Sequence, residues 1–187
     1  GGFGITYVGW DLNLDLKIAI KEYYPLGFAA RDTHTHVSVL SLTGDKKELY
    51  QRGKERFVNE AKTLARLTRD NGIVGVRGFF HENGTAYIIM DFVEGETLKS
   101  LATNSGGKLP AQETLRLFRP LCDSIAQVHA AGLLHRDISP DNIILRPDGV
   151  LTLVDFGAAR QISAYGEHSN TINVKHGFAP EEQYRTH

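Results

Sequence analysis

The stretch LLHRDISPDNIIL, residues 133–145, constrains this chain more than any other. It places His135, Arg136, Asp137 and Asn142 between a Leu-Leu pair and an Ile-Ile-Leu run. A polar group buried without a partner costs on the order of 1–3 kcal/mol. Any fold adopted here must satisfy these side chains in a structural network or put them to a task.

The rest of the chain has the means to frame either outcome. With 187 residues, 41% of them apolar, it can bury a sizeable core. A net charge of −1 provides no basic field for nucleic acid or an anionic membrane. The single cysteine, Cys122, cannot form an internal disulfide, which fits a reducing, cytoplasmic setting. Its surroundings, RPLCDSIAQVHAAG, read as the buried face of a helix. No apolar run approaches the roughly 20 residues that span a bilayer, and no signal-peptide pattern is visible. The chain starts Gly-Gly-Phe-Gly, stops at Arg-Thr-His, and reads as an internal piece of a longer protein.

Local patterns divide it in two. Residues 5–10 and 16–23 are β-rich on either side of DLNLD, predicting a hairpin. Residues 24–51 read as irregular, apart from the apolar alternation VSVLSL. Phe57, Ala61, Leu64 and Ala65 recur at helical spacing, predicting an amphipathic helix over 54–69. Strands are predicted at 74–80 and 85–93 around ENGT, whose Asn-Gly is a hairpin signal. A helix over 112–131 is predicted to bury Leu115, Phe118, Cys122, Ile125 and Val128, to kink or break at Pro120, and to stop at Gly132. Short strands at 143–146 and 150–154 flank a PDG turn, and 158–178 is polar and without pattern. The expectation is an α+β chain of two lobes meeting near residues 91–96.

Three further segments carry chemistry. The glycines of GGFGITYVG would let backbone N–H groups approach phosphate oxygens, with a plain turn as the alternative. Lys21, in IAIKEYY, lies on one face of a strand just past that turn; a solvated edge charge is the alternative. If buried, its ammonium needs an anion, and Glu60 at the border of the 54–69 stripe is the candidate, unless it is a surface glutamate. Asp155 ends the apolar run LTLVDFG. Asp137, Asn142 and Asp155 would supply the oxygens that Mg²⁺ favours together with phosphates.

Taken in order, the glycine-rich turn, strand lysine, H-R-D-x-x-x-x-N, D-F-G and A-P-E-like segment resemble the signature set of eukaryotic-type (Hanks-type) protein kinase domains, the bacterial Ser/Thr kinases most of all. The 17 positions from Gly4 to Lys21 and 18 from Asp137 to Asp155 are similar to the family's spacings. The resemblance implies a bilobal fold, with 1–93 as N-lobe and 94–187 as a partial C-lobe, and ATP between the lobes. It implies Gly1 and Gly4 in the phosphate loop, and Lys21 on the α and β phosphates, steadied by Glu60. Asp137 would orient the substrate hydroxyl, Asn142 and Asp155 would hold Mg²⁺ (or Mn²⁺), and His135 would be structural. Ala19 and Ile144 would enclose the adenine, with Met90 as gatekeeper and Asp91 to Val93 as hinge. The implied activity is transfer of the γ-phosphoryl of ATP to a Ser or Thr hydroxyl of a protein. The family continues into helices beneath the catalytic loop, so these 187 residues alone are expected to be inactive or aggregation-prone.

The chain departs from the family in several places. Ser139 stands where most protein Ser/Thr kinases have a lysine. The threonine expected in the activation segment is missing: its position holds Val174 if Glu181 closes the A-P-E, and Lys175 if Glu182 does. In the second register Lys175 would return the cation that Ser139 removes; a solvated loop lysine is the alternative. Lys21 and Glu60 are 39 positions apart, longer than the family's spacing, which implies an insertion around 24–50 that repositions the helix or docks a partner. Arg136 resembles the arginine that pairs with an activation-segment phosphate, here on Ser169 or Thr171, then Ser163. Dimerisation for trans-autophosphorylation would accompany that control; a loop ordered without phosphate is the alternative. Two rival functions remain: a pseudokinase serving as a nucleotide-binding scaffold, for which Ser139 speaks, and a small-molecule kinase, against which KHGFAPEEQY speaks.

Overall fold

A computed structural model of the chain describes residues 4–67, 72–156, 160–161, 177–178 and 181. The chain divides into two compact units, Gly1–Arg66 with Gly75–Phe92, and Leu67–Val74 with Val93–His187.

The first unit opens with the predicted hairpin. Strands β1 (Gly4–Asp11) and β2 (Leu16–Tyr23) pair antiparallel from Gly4↔Tyr23 to Asp11↔Leu16. Asp11 Oδ1 fixes the turn by accepting from the backbone N–H groups of Asn13 and Leu14, each at 3.0 Å. The stretch expected to be irregular instead holds a second hairpin, β3 (Ala29–Arg31) and β4 (Val39–Ser41). Helix α1 (Asp45–Arg66) starts nine residues before its predicted start at Lys54. Gly53 concealed that start, because glycine is a poor helix former. Tyr50 extends the buried stripe backwards from Phe57, Val58, Ala61 and Leu64, and Asp45 and Glu48 favour the positive end of the helix dipole.

Strands β5 (Val76–Glu82) and β6 (Thr85–Asp91) complete a four-stranded antiparallel sheet in the order β1-β2-β6-β5. Their two connecting residues, Asn83 and Gly84, have φ of 51° and 76°, as the primed hairpin turns require. Gly84 is needed for a second reason: a Cβ there would lie 2.4 Å from the carbonyl oxygen of Val39. Val39 N–H also donates to the Asn83 carbonyl at 2.7 Å, so the inserted hairpin docks on this turn. Helix α1 packs against the sheet, with the Tyr23 ring 5.3 Å from that of Tyr50 and 5.5 Å from that of Phe57.

The second unit is mainly helical. Strand β7 (Glu96–Thr97) leads into α2 (Leu98–Asn104), capped by the Thr97 side chain accepting from Ser100 N–H. Helix α3 (Ala111–Ala130) precedes β8 (Leu133–Leu134), β9 (Ile143–Leu145), β10 (Leu151–Leu153) and β11 (Arg160–Gln161). These strands form a β10-β9-β7 sheet and a β11-β8 pair. Helix α3 continues through Pro120, with no break there. Pro120 lies on the exposed side of the helix, where the carbonyl it leaves without a donor can turn to water.

The face that α3 buries also differs from the prediction. Leu117, Leu121, Ser124 and Val128 are buried, whereas Leu115 is 72% exposed and Cys122 is exposed. The helix carries two apolar tracks that share Val128, and Ser124 disguised the one that packs. Its hydroxyl is satisfied within the helix by donating to the Pro120 carbonyl at 3.0 Å. Gly72 lies against it so closely that a Cβ there would be 2.3 Å from Ser124 Oγ. The fold is α+β, and among the described residues no helix is long and apolar enough to cross a membrane.

Candidate active site

In the first unit, strand alternation puts Ala19 and Lys21 on one face of β2 and Ile20 and Glu22 on the other. Lys21 is only 4% exposed, which excludes the solvated edge charge. A Cβ on Gly4 would lie 2.3 Å from the Glu22 carbonyl oxygen and 3.6 Å from Lys21 Cε. Only a glycine lets β1 begin at this distance from the lysine strand, so Gly4 and Lys21 are brought together. Glu60 is half-buried on α1, and its charge acts on the phenol of Tyr23, on the Lys21 face of β2. Both Lys21 and Glu60 are engaged within the structure. Ala19 pairs with Met90, which is buried in β6. Asp91 donates its N–H to the Gly75 carbonyl at 2.9 Å, and its carboxylate meets Arg77 Nε at 2.5 Å. Val93, half-buried, begins the second segment of the second unit.

The opposite face of β2 holds a network that sequence reasoning missed. Glu22 is 1% exposed, and its Oε1 accepts from Arg31 Nη1 and the Tyr87 hydroxyl, each at 2.8 Å. Its Oε2 accepts from Arg31 Nη2 and, at 2.9 Å, from the Tyr7 hydroxyl. Arg31 also donates to the Tyr7 oxygen at 3.0 Å and to the Val37 carbonyl at 2.8 Å. The Tyr87 hydroxyl accepts in turn from Asn83 Nδ2 at 3.1 Å. Arg31 lies in the insertion, Tyr7 on β1, Glu22 on β2 and Tyr87 on β6, so one carboxylate ties four elements together. The hydrogen bond to Glu22 holds the Arg31 guanidinium proton more tightly than usual. Burial, then Glu22, push the Tyr7 phenol up. No local pattern marked this cluster; the only trace was an arginine alone in a polar stretch.

In the second unit, the segment between the two apolar anchors is fixed from inside. His135 is 2% exposed, and its Nε2 lies 3.1 Å from the Val154 carbonyl, while Asp137 N–H donates to its Nδ1 at 3.2 Å. The two bonds together require the tautomer with the proton on Nε2. The His135 ring meets Phe156 edge-on at 4.4 Å. Asn142 Nδ2 donates to both the backbone oxygen and Oδ2 of Asp137, each at 2.9 Å. Asn142 also ties in through its backbone, its N–H donating to the Ser139 carbonyl and its own carbonyl accepting from Val154 N–H. Ile144, in the middle of β9, pairs with Thr152 and Thr97. Lys99 Nζ lies 2.9 Å from Asp141 Oδ1, and Ser139 is buried at 2% exposure. Arg136 and Asp155 both adopt φ of 64°, a region non-glycine residues rarely enter.

The arrangement gathers Asp137, Asn142, Val154 and His135 into one network, with Asp155 next in the chain. Glu181 is exposed. Gly1, Ser163, Ser169, Thr171, Val174, Lys175 and Glu182 lie outside the described residues.

The sequence matches the family model for the protein kinase domain over residues 28–185. That match starts after Gly4 and Lys21, but alignments with individual relatives reach further. The chain is 31% identical over 164 residues to "Serine/threonine-protein kinase PknL" of Mycobacterium tuberculosis, covering 88% of this chain and 36% of the relative. It is 30% identical over 193 residues to "Serine/threonine-protein kinase PknA" of Nostoc, covering 98% and 31%. With "Serine/threonine-protein kinase PrkC" of Bacillus subtilis it shares 29% over 184 residues, covering 97% and 25%. The chain thus spans about a third or less of these curated relatives. The solved structure "PpkA-294 apo form" superimposes with a TM-score of 0.72 at 39% identity, over 84% of this chain and 55% of that one. Since the family model covers well over half of its length, this chain belongs to the protein kinase domain family.

Proposed function

We propose that the protein carrying this chain is an ATP-dependent protein Ser/Thr kinase, a reading supported above all by the hold that Asn142 and His135 exert on Asp137. With Oδ2 of Asp137 bonded to Asn142, Oδ1 is left to accept from the substrate hydroxyl and to take its proton as that oxygen bonds the γ-phosphorus and the bond from the γ-phosphorus to the bridging oxygen breaks, releasing ADP. Gly4 and Lys21 bind the phosphates of ATP, with Glu60 steadying the lysine. Ala19, Met90, Asp91, Val93 and Ile144 handle the adenine. The amide oxygen of Asn142 and the carboxylate of Asp155 are hard oxygen donors, and Mg²⁺ is commonly held by one or two such groups together with substrate phosphates. The ion's part is to neutralise phosphate charge. The protein is read as cytoplasmic, self-associating to phosphorylate Ser169 or Thr171 in trans.

A pseudokinase is the second reading, favoured by the burial of Ser139, which leaves no cation at that position of the loop. Transfer of radiolabel from ATP to protein by the full-length protein separates the two. Asp137→Asn is expected to lose at least about 100-fold in rate while still binding Mg-ATP. Lys175→Ala should lose rate as well if it supplies the missing cation. Wild-type protein that binds Mg-ATP and transfers nothing would overturn the enzyme reading in favour of the scaffold.

A further inference from the structure

We infer that the inserted hairpin is a positioning element for the phosphate grip of ATP, acting through Arg31. The inference rests on the nucleotide roles given above to Gly4 and Lys21. Among the described residues, strand β1 (Gly4–Asp11) is an edge strand hydrogen-bonded only to β2. Its separation from β2 decides where Gly4 lies over the Lys21 stem, a contact already at its limit, since a Cβ on Gly4 would be 2.3 Å from the Glu22 carbonyl.

On the face of the sheet away from Lys21, one set of side chains bridges the two strands. The Tyr7 hydroxyl donates to Glu22 and accepts from Arg31, which grips both carboxylate oxygens of Glu22. Glu22 is the immediate neighbour of Lys21 along β2, so a shift that relaxes one side chain moves the other. Arg31 is held in turn by its own hairpin through Val37, and that hairpin docks on the β5–β6 turn through Val39. The clamp therefore refers both phosphate-handling strands to a third, independent anchor. Arg31 is a positioning residue, since it acts through Tyr7 and Glu22.

The test uses the full-length protein, its Mg-ATP and protein-substrate kinetics, and direct Mg-ATP binding. Tyr7→Phe removes only the hydroxyl bridge from a residue that is 41% exposed, so the fold survives it. Losing one such bond should raise the KM for ATP and weaken Mg-ATP binding by about 3- to 10-fold, with the protein-substrate KM unchanged. Arg31→Lys keeps the charge but cannot span both Glu22 oxygens and Tyr7, and should shift the ATP KM in the same direction. A purely structural role would instead lower the active fraction, reducing apparent kcat with both KM values intact. That pattern in both variants, or an unchanged ATP KM, would overturn the inference. Wild-type protein that binds no Mg-ATP would overturn the nucleotide reading and the inference with it.

Discussion

Substituting Gly53 by alanine tests the packing of α1 against its own propensity. In an exposed helix interior this change stabilises by about 1 kcal/mol. At position 53 the added Cβ would lie 2.0 Å from the Tyr23 hydroxyl oxygen and 3.0 Å from its Cζ. Tyr23 is 7% exposed and sits against Tyr50 and Phe57, themselves buried, so its ring has nowhere to swing. The helix must move instead, at the roughly 1–3 kcal/mol typical of an overpacked core. Set against the propensity gain, the expected net loss is about 1 kcal/mol, or roughly 2–4 °C in Tm. Urea unfolding followed by the single tryptophan, Trp10, reads the same unit directly. Tyr23→Phe in the Gly53→Ala background should recover part of the loss, because it removes the nearer of the two atoms. A Gly53→Ala protein as stable as wild type, or more so, would refute the reasoning.

Two other perturbations probe the buried polar groups of the same unit. Arg31→Met leaves the Glu22 carboxylate buried with only two phenolic donors, at a cost of about 3–5 kcal/mol; Glu22→Gln should destabilise the wild type yet stabilise the Arg31→Met protein, and additive losses in urea titrations would rule out a buried ion pair. Burial raises the phenols of Tyr7, Tyr23, Tyr50 and Tyr87 above the ordinary value of 10.0. The folded state then holds those protons more tightly than the unfolded one, so their stabilisation is complete below about pH 10 and is lost as pH rises through the folded values. Tm should fall on that alkaline side, with tyrosinate absorbance from the buried Tyr23, Tyr50 and Tyr87 lagging behind that of exposed tyrosines; ionisation of all the tyrosines together without unfolding would contradict it.

The polar network around Asp137 was legible because its chemistry is local. His135, Asp137 and Asn142 lie within eight residues, and their apolar flanks announce both burial and strand pairing. The Glu22–Arg31 pair was not legible, because its meaning depends on two chain segments docking. Nothing local to IAIKEYY marks Glu22 as needing a partner, and Arg31 opens the polar RDTHTH run with no period to place it. The face of α3 failed for a related reason. Leu115 and Cys122 have the right spacing for a core stripe, but only contact with Gly72 and Leu121's neighbours decides which of two tracks is buried. Pattern states that an element has an apolar side, and tertiary contact selects the side.

The polar residues between the apolar anchors also explain the strain nearby. Arg136 and Asp155, both at φ of 64°, each carry a backbone cost on the order of 1–3 kcal/mol that must be met elsewhere. The His135 ring spans both positions. Its Nδ1 accepts from Asp137 N–H, one residue past Arg136, and its Nε2–H donates to the Val154 carbonyl, one residue before Asp155. Phe156, on the far side of Asp155, packs against the same ring. A single buried imidazole therefore ties down the backbone next to both unfavourable conformations. Burying His135 in an apolar frame is thus the means by which the loop keeps its strained shape. Water competing for either ring nitrogen would loosen both aspartates at once.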